Sequence, residues 1–134
     1  ARNWFSLHPD KNLSKIYVKA EGVFMSNEIN SYKVFWPFYL REHSHPANRR
    51  LHFIGTTLAL LVIALVILNK NYFWLIAFPI VGYGFAWIGH FKIEKNKPAT
   101  FKFPFWSLIS DFRMYGLFVT GRLRPHLASA GVID

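Results

Sequence analysis

The sequence predicts an all-α integral membrane protein built on a helical hairpin, with flanking amphipathic helices at the membrane interface. Residues 51–68 and residues 72–91 contain no Asp, Glu, Lys or Arg, and each stretch is long enough to cross a bilayer core as a helix. Only residues 69–71 separate the two stretches, which leaves room for a tight turn. The stretches are therefore expected to pack as antiparallel arms.

Charge and composition limit the possible functions. The 134 residues carry a net charge of +9 and no cysteine, which excludes thiolate zinc sites, iron–sulfur clusters and disulfides. The basic residues crowd the ends of the hairpin arms, whereas Lys70 stands alone at the tip. By the positive-inside rule both termini are expected in the cytoplasm, of a bacterial cytoplasmic membrane or of a eukaryotic endoplasmic reticulum membrane. The basic excess is expected to meet lipid headgroups or an acidic substrate, and not nucleic acid.

The segments before the hairpin divide at residue 25. Residues 1–24 show no sustained periodicity and are interpreted as a poorly ordered leader, before a membrane-embedded catalytic domain at 25–124 and a C-terminal tail at 125–134. Apolar side chains at helical spacing predict an interfacial amphipathic helix within 27–41, with a kink or boundary at Pro37. Pro46 fits the first turn of the following helix, with Ser44 or His45 as its cap.

After the hairpin, residues 101–119 are strongly aromatic but contain Asp111 and Arg113. A membrane crossing would bury both charges near its middle. This segment is therefore expected in, or re-entering, the cytoplasmic interface, where both side chains can turn toward the histidines of the hairpin.

Ionisable side chains at the cytoplasmic end of the hairpin form the candidate site. Counted outward from the turn, His52 and His90 lie at the same depth. Asn48 precedes His52 by one helical turn and Glu94 follows His90 by one, so the four side chains are expected to converge. Small residues at one-turn intervals allow close approach of the arms: Gly55, Ala59, Gly82, Ala86 and Gly89. Histidines with a carboxylate are the usual ligands of a catalytic metal, which predicts a metal site.

Several of these residues also have purely structural interpretations. Glu94 either joins the site or neutralises the lysines around it. Asp111 either accepts a hydrogen bond from a ligand histidine or pairs with Arg113. His45 is more simply explained by a hydrogen bond at a helix end, and His126 lies outside the hairpin and is not expected to bind metal.

Two motifs in this order resemble one membrane family. The pattern H-x-x-P-x-N-x-x-x-H over residues 43–52, followed after the hairpin by G-H-x-x-x-E-K-x-x-P-A over residues 89–99, resembles the family typified by the fungal 2-hydroxy-fatty-acid dioxygenase. The resemblance covers residues 31–123 and implies an iron(II)-dependent (Fe2+) enzyme of fatty-acid α-oxidation. By position, it implies that His43, His52 and His90 are metal ligands or close supports, with Asn48 and Glu94 beside them.

The implied reaction suits the residues of this chain. Oxidative decarboxylation of a long-chain 2-hydroxy fatty acid by O2 gives the acid one carbon shorter, CO2 and water, and needs no external reductant. Iron(II) held by imidazoles and a carboxylate keeps open positions for this chemistry. Asn48 is a candidate substrate contact, and a basic side chain is expected to pair with the substrate carboxylate, from Arg49, Arg50, Lys92 or Arg113.

Two other function classes stay open. The same ligands could hold zinc and activate water for hydrolysis of a lipid ester or amide. The chain could instead be a non-enzymatic membrane adaptor whose histidines are structural. Metal content separates the three hypotheses.

Overall fold

The computed structural model describes residues 29–133, which form helices and turns and contain no β-strand. The all-α prediction is confirmed for this part of the chain. The α-helices are, in order, α1 (Tyr32–Arg41), α2 (Pro46–Asn69), α3 (Ala77–Ile88), α4 (Pro104–Val119) and α5 (Leu123–Ser129). Shorter helical turns lie between them: a 3₁₀ turn at Tyr72–Ile76, a π-helical turn at Gly89–Glu94 and a 3₁₀ turn at Ala99–Phe101.

Local sequence signals explain where α2 begins and ends. His45 is its cap, because the imidazole Nδ1 accepts a hydrogen bond from the backbone N–H of Ala47 at 3.1 Å, and Pro46 occupies the first helical position as predicted. The helix ends before Lys70, whose φ of 53° lies in the left-handed region. The Asn71 side chain then accepts from the N–H of Phe73 at 3.3 Å and starts the next turn.

The segment before α2 differs in part from the prediction. The amphipathic helix expected within residues 27–41 begins at Tyr32, since Ile29 and Asn30 are not helical. Pro37 lies inside α1 and does not set a boundary. The leader predicted at residues 1–24 lies outside the described residues.

Small side chains let α2 and α3 pack closely, as predicted. A β-carbon on Gly55 would lie 3.0 Å from Phe85 Cβ and 3.2 Å from the carbonyl oxygen of Gly82. A β-carbon on Gly82 would lie 4.0 Å from Ala59 Cβ. The two backbones therefore approach closely at Gly55, where a larger side chain would separate them, whereas Gly82 leaves room beside Ala59.

The long helical segments direct large apolar side chains outward. Pro46–Asn69 and Tyr72–Glu94 are both long and apolar enough to cross a membrane. Leu68 on α2 is 77% exposed and Phe105 on α4 is 80% exposed. Exposed apolar surface of this extent is typical of contact with lipid or with another protein. The fold thus contains two candidate membrane-spanning helices.

Aromatic contacts pack the remaining helices around the ends of α2 and α3 that lie far from the turn at residues 69–71. Phe35 of α1 is fully buried and packs on Trp106 of α4, with ring centroids 5.5 Å apart. Phe53 of α2 stacks on Phe118 of α4 at 4.0 Å. Helix α5 lies within the predicted C-terminal tail and its preceding residues, and its Leu127 is buried. This packing brings α1, α2 and α4 together where the histidines lie.

Candidate metal centre

Three buried histidines from three segments meet at this end of the hairpin. His43 follows α1, His52 lies in α2, and His90 lies in the π-helical turn. The Nε2 atom of His43 is 3.1 Å from that of His52 and 3.0 Å from that of His90. One ligand atom from each residue lies within 4.8 Å of the others, and the cluster can hold a metal ion.

Two of the imidazoles are held by acceptors on their other ring nitrogen. The backbone carbonyl of Tyr39 lies 2.6 Å from His43 Nδ1, and the carboxylate of Asp111 lies 3.0 Å from His52 Nδ1. Neither a carbonyl nor a carboxylate oxygen can donate, so each Nδ1 carries the hydrogen. The Tyr39 hydroxyl also donates to Asp111, which therefore holds two side chains at once.

Asn96 determines which ring nitrogen of His90 carries the hydrogen. The Nδ2 group of Asn96 donates to the backbone carbonyl of Glu42 at 3.1 Å and to its carboxylate at 3.0 Å. This orients the amide, so its Oδ1 accepts from His90 Nδ1 at 2.8 Å. His90 therefore also carries its hydrogen on Nδ1.

With all three hydrogens on Nδ1, three Nε2 lone pairs point at one another. Burial, followed by the neighbouring His52 and His90, lowers the pKa of His43 well below its usual range, so this imidazole stays neutral at pH 7. Two acceptor contacts of 3.0 and 3.1 Å at His43 Nε2 are unfavourable unless a cation lies among the three atoms. Two imidazole nitrogens bound to one divalent metal at about 2.1 Å are roughly 3 Å apart when the angle between the bonds is near 90°. The donor set therefore fits a divalent metal ion.

A small cavity of about 10 Å³ adjoins the three histidines. Ser107 of α4 lines it, and its buried hydroxyl has no hydrogen-bond partner among the described residues. An unpartnered buried hydroxyl is costly, and it is available to a molecule that enters beside the cluster.

Arg49, a predicted substrate contact, is buried beneath the connection between α1 and α2. Its guanidinium donates to the carbonyl oxygens of His43 and Ser44, both at 2.7 Å. Arg49 thus holds the backbone that presents His43. Of the other predicted carboxylate partners, Arg113 places its guanidinium 4.2 Å from the centre of the Trp36 ring, and Arg50 and Lys92 are exposed.

The structure does not bring Glu94 into the histidine cluster. One carboxylate oxygen accepts from the backbone N–H of His45 at 2.6 Å and from Asn48 Nδ2 at 3.2 Å, and the other accepts from the Ser44 hydroxyl at 3.2 Å. The expected convergence rested on the i, i+4 spacing of His90 and Glu94, but Glu94 ends a π-helical turn and donors at the start of α2 bind its carboxylate. The carboxylate instead neutralises the start of α2.

Asn48 fills the contact between α2 and the π-helical turn. It is fully buried, and a β-carbon on Gly89 would lie only 1.9 Å from its Oδ1 atom. Glycine is therefore required at position 89 for this approach. Asn48 is not among the residues lining the histidine cavity.

The sequence analysis assigned no role in the site to Tyr39, Asn96 or Ser107. A histidine just past a helix C-terminus commonly bonds the last carbonyls, so the contact from His43 to Tyr39 was open to prediction. Asn96 contacts His90 across the π-helical turn, which leaves no signal in α-helical spacing. Ser107 comes from a distant helix, and its placement depends on how α4 packs.

A search of curated proteins and of solved structures finds no match. A family model described as 2-hydroxy-palmitic acid dioxygenase Mpo1-like matches residues 29–123. The matched range includes the three histidines of the cluster, Asn96 and Asp111. The match confirms the resemblance drawn from the two motifs. The chain belongs to this 2-hydroxy-palmitic acid dioxygenase-like family.

Proposed function

We propose that the protein is an iron(II)-dependent dioxygenase that converts long-chain 2-hydroxy fatty acids into the acid one carbon shorter. The observation that carries the proposal is the set of three converging Nε2 atoms, each on an imidazole fixed through its Nδ1. The family match supports the substrate class. The reaction R–CH(OH)–COOH + O2 → R–COOH + CO2 + H2O balances, because the substrate supplies all four electrons.

The chain's own residues position the reactants. His43, His52 and His90 would hold the iron, which supplies the redox chemistry that lets O2 react with the hydroxy acid. Asp111 fixes the ring of His52, and Tyr39 fixes Asp111. The Ser107 hydroxyl is free to donate to an oxygen atom of the substrate head. Burial of the cluster keeps bulk water from the reacting atoms.

The reaction is tested with protein purified anaerobically in mild detergent. Supplied with iron(II), O2 and a long-chain 2-hydroxy acid, it should release the acid one carbon shorter with no 2-oxoglutarate, nicotinamide or flavin added. The matching unhydroxylated acid should be inert, because it offers a single chelating group and its conversion to the shortened acid would release six electrons, two more than one O2 accepts. Comparable turnover of the unhydroxylated acid, or a requirement for 2-oxoglutarate, would refute the α-oxidation proposal.

Metal analysis of the same sample addresses the metal. Iron as the ion that restores activity supports the dioxygenase. Zinc at one ion per chain with lipid hydrolysis would favour the hydrolase hypothesis, and protein without bound metal would favour the adaptor hypothesis.

We further propose that Pro46–Asn69 and Tyr72–Glu94 span the membrane with both chain ends in the cytoplasm. The outward apolar side chains and the basic excess at the arm ends support this orientation. The Asn71→Cys variant should react with an impermeant thiol reagent on intact cells, and the cysteine-free chain gives no background. The Lys97→Cys variant, at an exposed site near the other end, should react only after the cells are opened. The reverse labelling pattern would show that the chain ends face the opposite compartment.

A further inference from the structure

An apolar cavity of about 190 Å³ lies between α2, α3 and α4, next to the histidine cluster. Its apolar walls include Ala59 of α2, Phe78 and Gly82 of α3, and Leu108 and Phe112 of α4. Leu108 and Phe112 are partly exposed, so the α4 wall reaches the outer apolar surface of the protein. The cavity can therefore be entered from the side that the proposed membrane would cover.

This cavity adjoins the candidate metal centre. His52 and Asp111 line both the apolar cavity and the small cavity among the histidines. The apolar cavity thus has the ionisable groups His52 and Asp111 on the side of the histidine cluster, and the rest of its lining is mostly apolar, with Thr56 and Tyr83 as the other polar residues. From His52 to Ala59 the distance along α2 is about 10 Å, at a rise of 1.5 Å per residue. Such a shape is complementary to an amphiphile with a polar head and a single apolar chain.

Two larger cavities share no lining residue with the small cavity among the histidines. A cavity of about 540 Å³ near the hairpin turn is lined by residues such as Val62 and Trp74, and a groove of about 430 Å³ is lined by residues such as Arg50 and Phe118. Neither contains any of the three histidines. Volume alone favours these two sites, but contact with the histidine cluster favours the smaller one.

We infer that the cavity between α2, α3 and α4 binds the first part of the substrate's acyl chain, which enters sideways from the lipid. The inference rests on the proposed function and adds the location of the chain. The carboxylate end lies toward the Nε2 atoms of the histidine cluster, where a metal ion would offset its charge, and the carbons beyond Ala59 remain in the lipid. Gly82 leaves space for the chain, because even a β-carbon there would meet nothing closer than Ala59 Cβ at 4.0 Å.

A photoreactive probe tests this location. The probe is a long-chain 2-hydroxy fatty acid with a diazirine a few carbons from the carboxylate, used on the detergent-purified, iron-loaded protein. Light should attach it to α3 near Gly82 or to α4 near Leu108, as mapped by mass spectrometry. The Gly82→Leu variant should lose attachment about tenfold or more, because leucine occupies the space of several methylenes. Its metal content should be unchanged.

Matched variants separate a filled cavity from a general disturbance. Gly84 lies in the same helix with nothing within 4 Å of its β-carbon position, so Gly84→Leu should label like the wild type. Leu108→Trp fills the cavity from the opposite wall and should also lose labelling. This variant tests the cavity assignment independently if Gly82→Leu does not fold.

The outcomes distinguish the cavity from the proposed function. Attachment at the Arg50 groove or at the hairpin turn, or full labelling of Gly82→Leu and Leu108→Trp, would overturn the cavity assignment even if the wild type turns over 2-hydroxy acids. Attachment at Gly82 and Leu108 in a protein that shows no turnover would support the cavity and refute the dioxygenase.

Discussion

Replacing His90 with alanine is expected to abolish metal binding and dioxygenase turnover, while the protein still folds and enters the membrane. The variant removes one of the three converging Nε2 atoms, the one 3.0 Å from His43 Nε2, and the two imidazoles left are too few for a stable catalytic site. Metal content per chain, measured on detergent-purified protein, is the primary measurement. His52→Ala should behave in the same way, since its ring also faces His43.

The control for this prediction is His126→Ala. His126 accepts a weak hydrogen bond from Trp36 at 3.4 Å and takes no part in the cluster, so its removal should leave metal content unchanged. Asp111→Ala should give an intermediate metal content, because Asp111 supports His52 through Nδ1 and does not touch the Nε2 atom that faces the cluster. Loss of such a supporting acceptor typically costs about 10–100-fold in metal affinity or activity. Full metal occupancy in both His90→Ala and His52→Ala would refute a shared site.

Gly89→Ala is expected to destabilise the protein by about 3 kcal/mol or more and to weaken metal binding with it. The added methyl group would lie 1.9 Å from Asn48 Oδ1 and 2.9 Å from Asn48 Cγ. Asn48 is fully buried and bonded to Glu94, so it can move only by breaking that bond or by pushing the π-helical turn and His90 away. The measurements are thermal unfolding in detergent and metal content.

Gly84→Ala provides the matched control for this variant. No atom lies within 4 Å of the added methyl group at position 84, and alanine favours a helix over glycine by about 1 kcal/mol, so the variant should be neutral or more stable. The double variant Gly89→Ala with Asn48→Ala should recover part of the lost stability, because it removes the clashing amide. Equal unfolding temperatures for Gly89→Ala and Gly84→Ala would show that the close approach is not required.

Regular helix geometry explains which parts of the site could be predicted. The rise of an α-helix is constant, so counting from the turn at residues 69–71 predicted His52 and His90 side by side, and their ring centroids lie 5.2 Å apart. The same reasoning did not predict that Glu94, at the end of a π-helical turn, bonds the start of α2. A sequence shows few signs of such a turn before the structure is known.

Tertiary packing explains the rest. Asp111 and Arg113 are two positions apart on α4 and face different directions, and only the packing of α4 shows that Asp111 reaches His52 while Arg113 reaches Trp36. Burial likewise decides the role of Arg49. An exposed arginine there could contact substrate, but the buried one bonds the carbonyl oxygens around His43. The two long apolar helices were predictable because long runs of hydrophobic residues carry their own signal.

An ion at the histidine cluster would also link distant parts of the folded chain. His43 and His90 are 47 positions apart, and one ion bound to both would hold them together. A disulfide would do so covalently, whereas an ion that binds only the folded chain stabilises it by mass action. This chain has no cysteine with which to form such a bridge. An ion at the three histidines would therefore serve as its cross-link, and the stability of the fold would rise and fall with the supply of that ion.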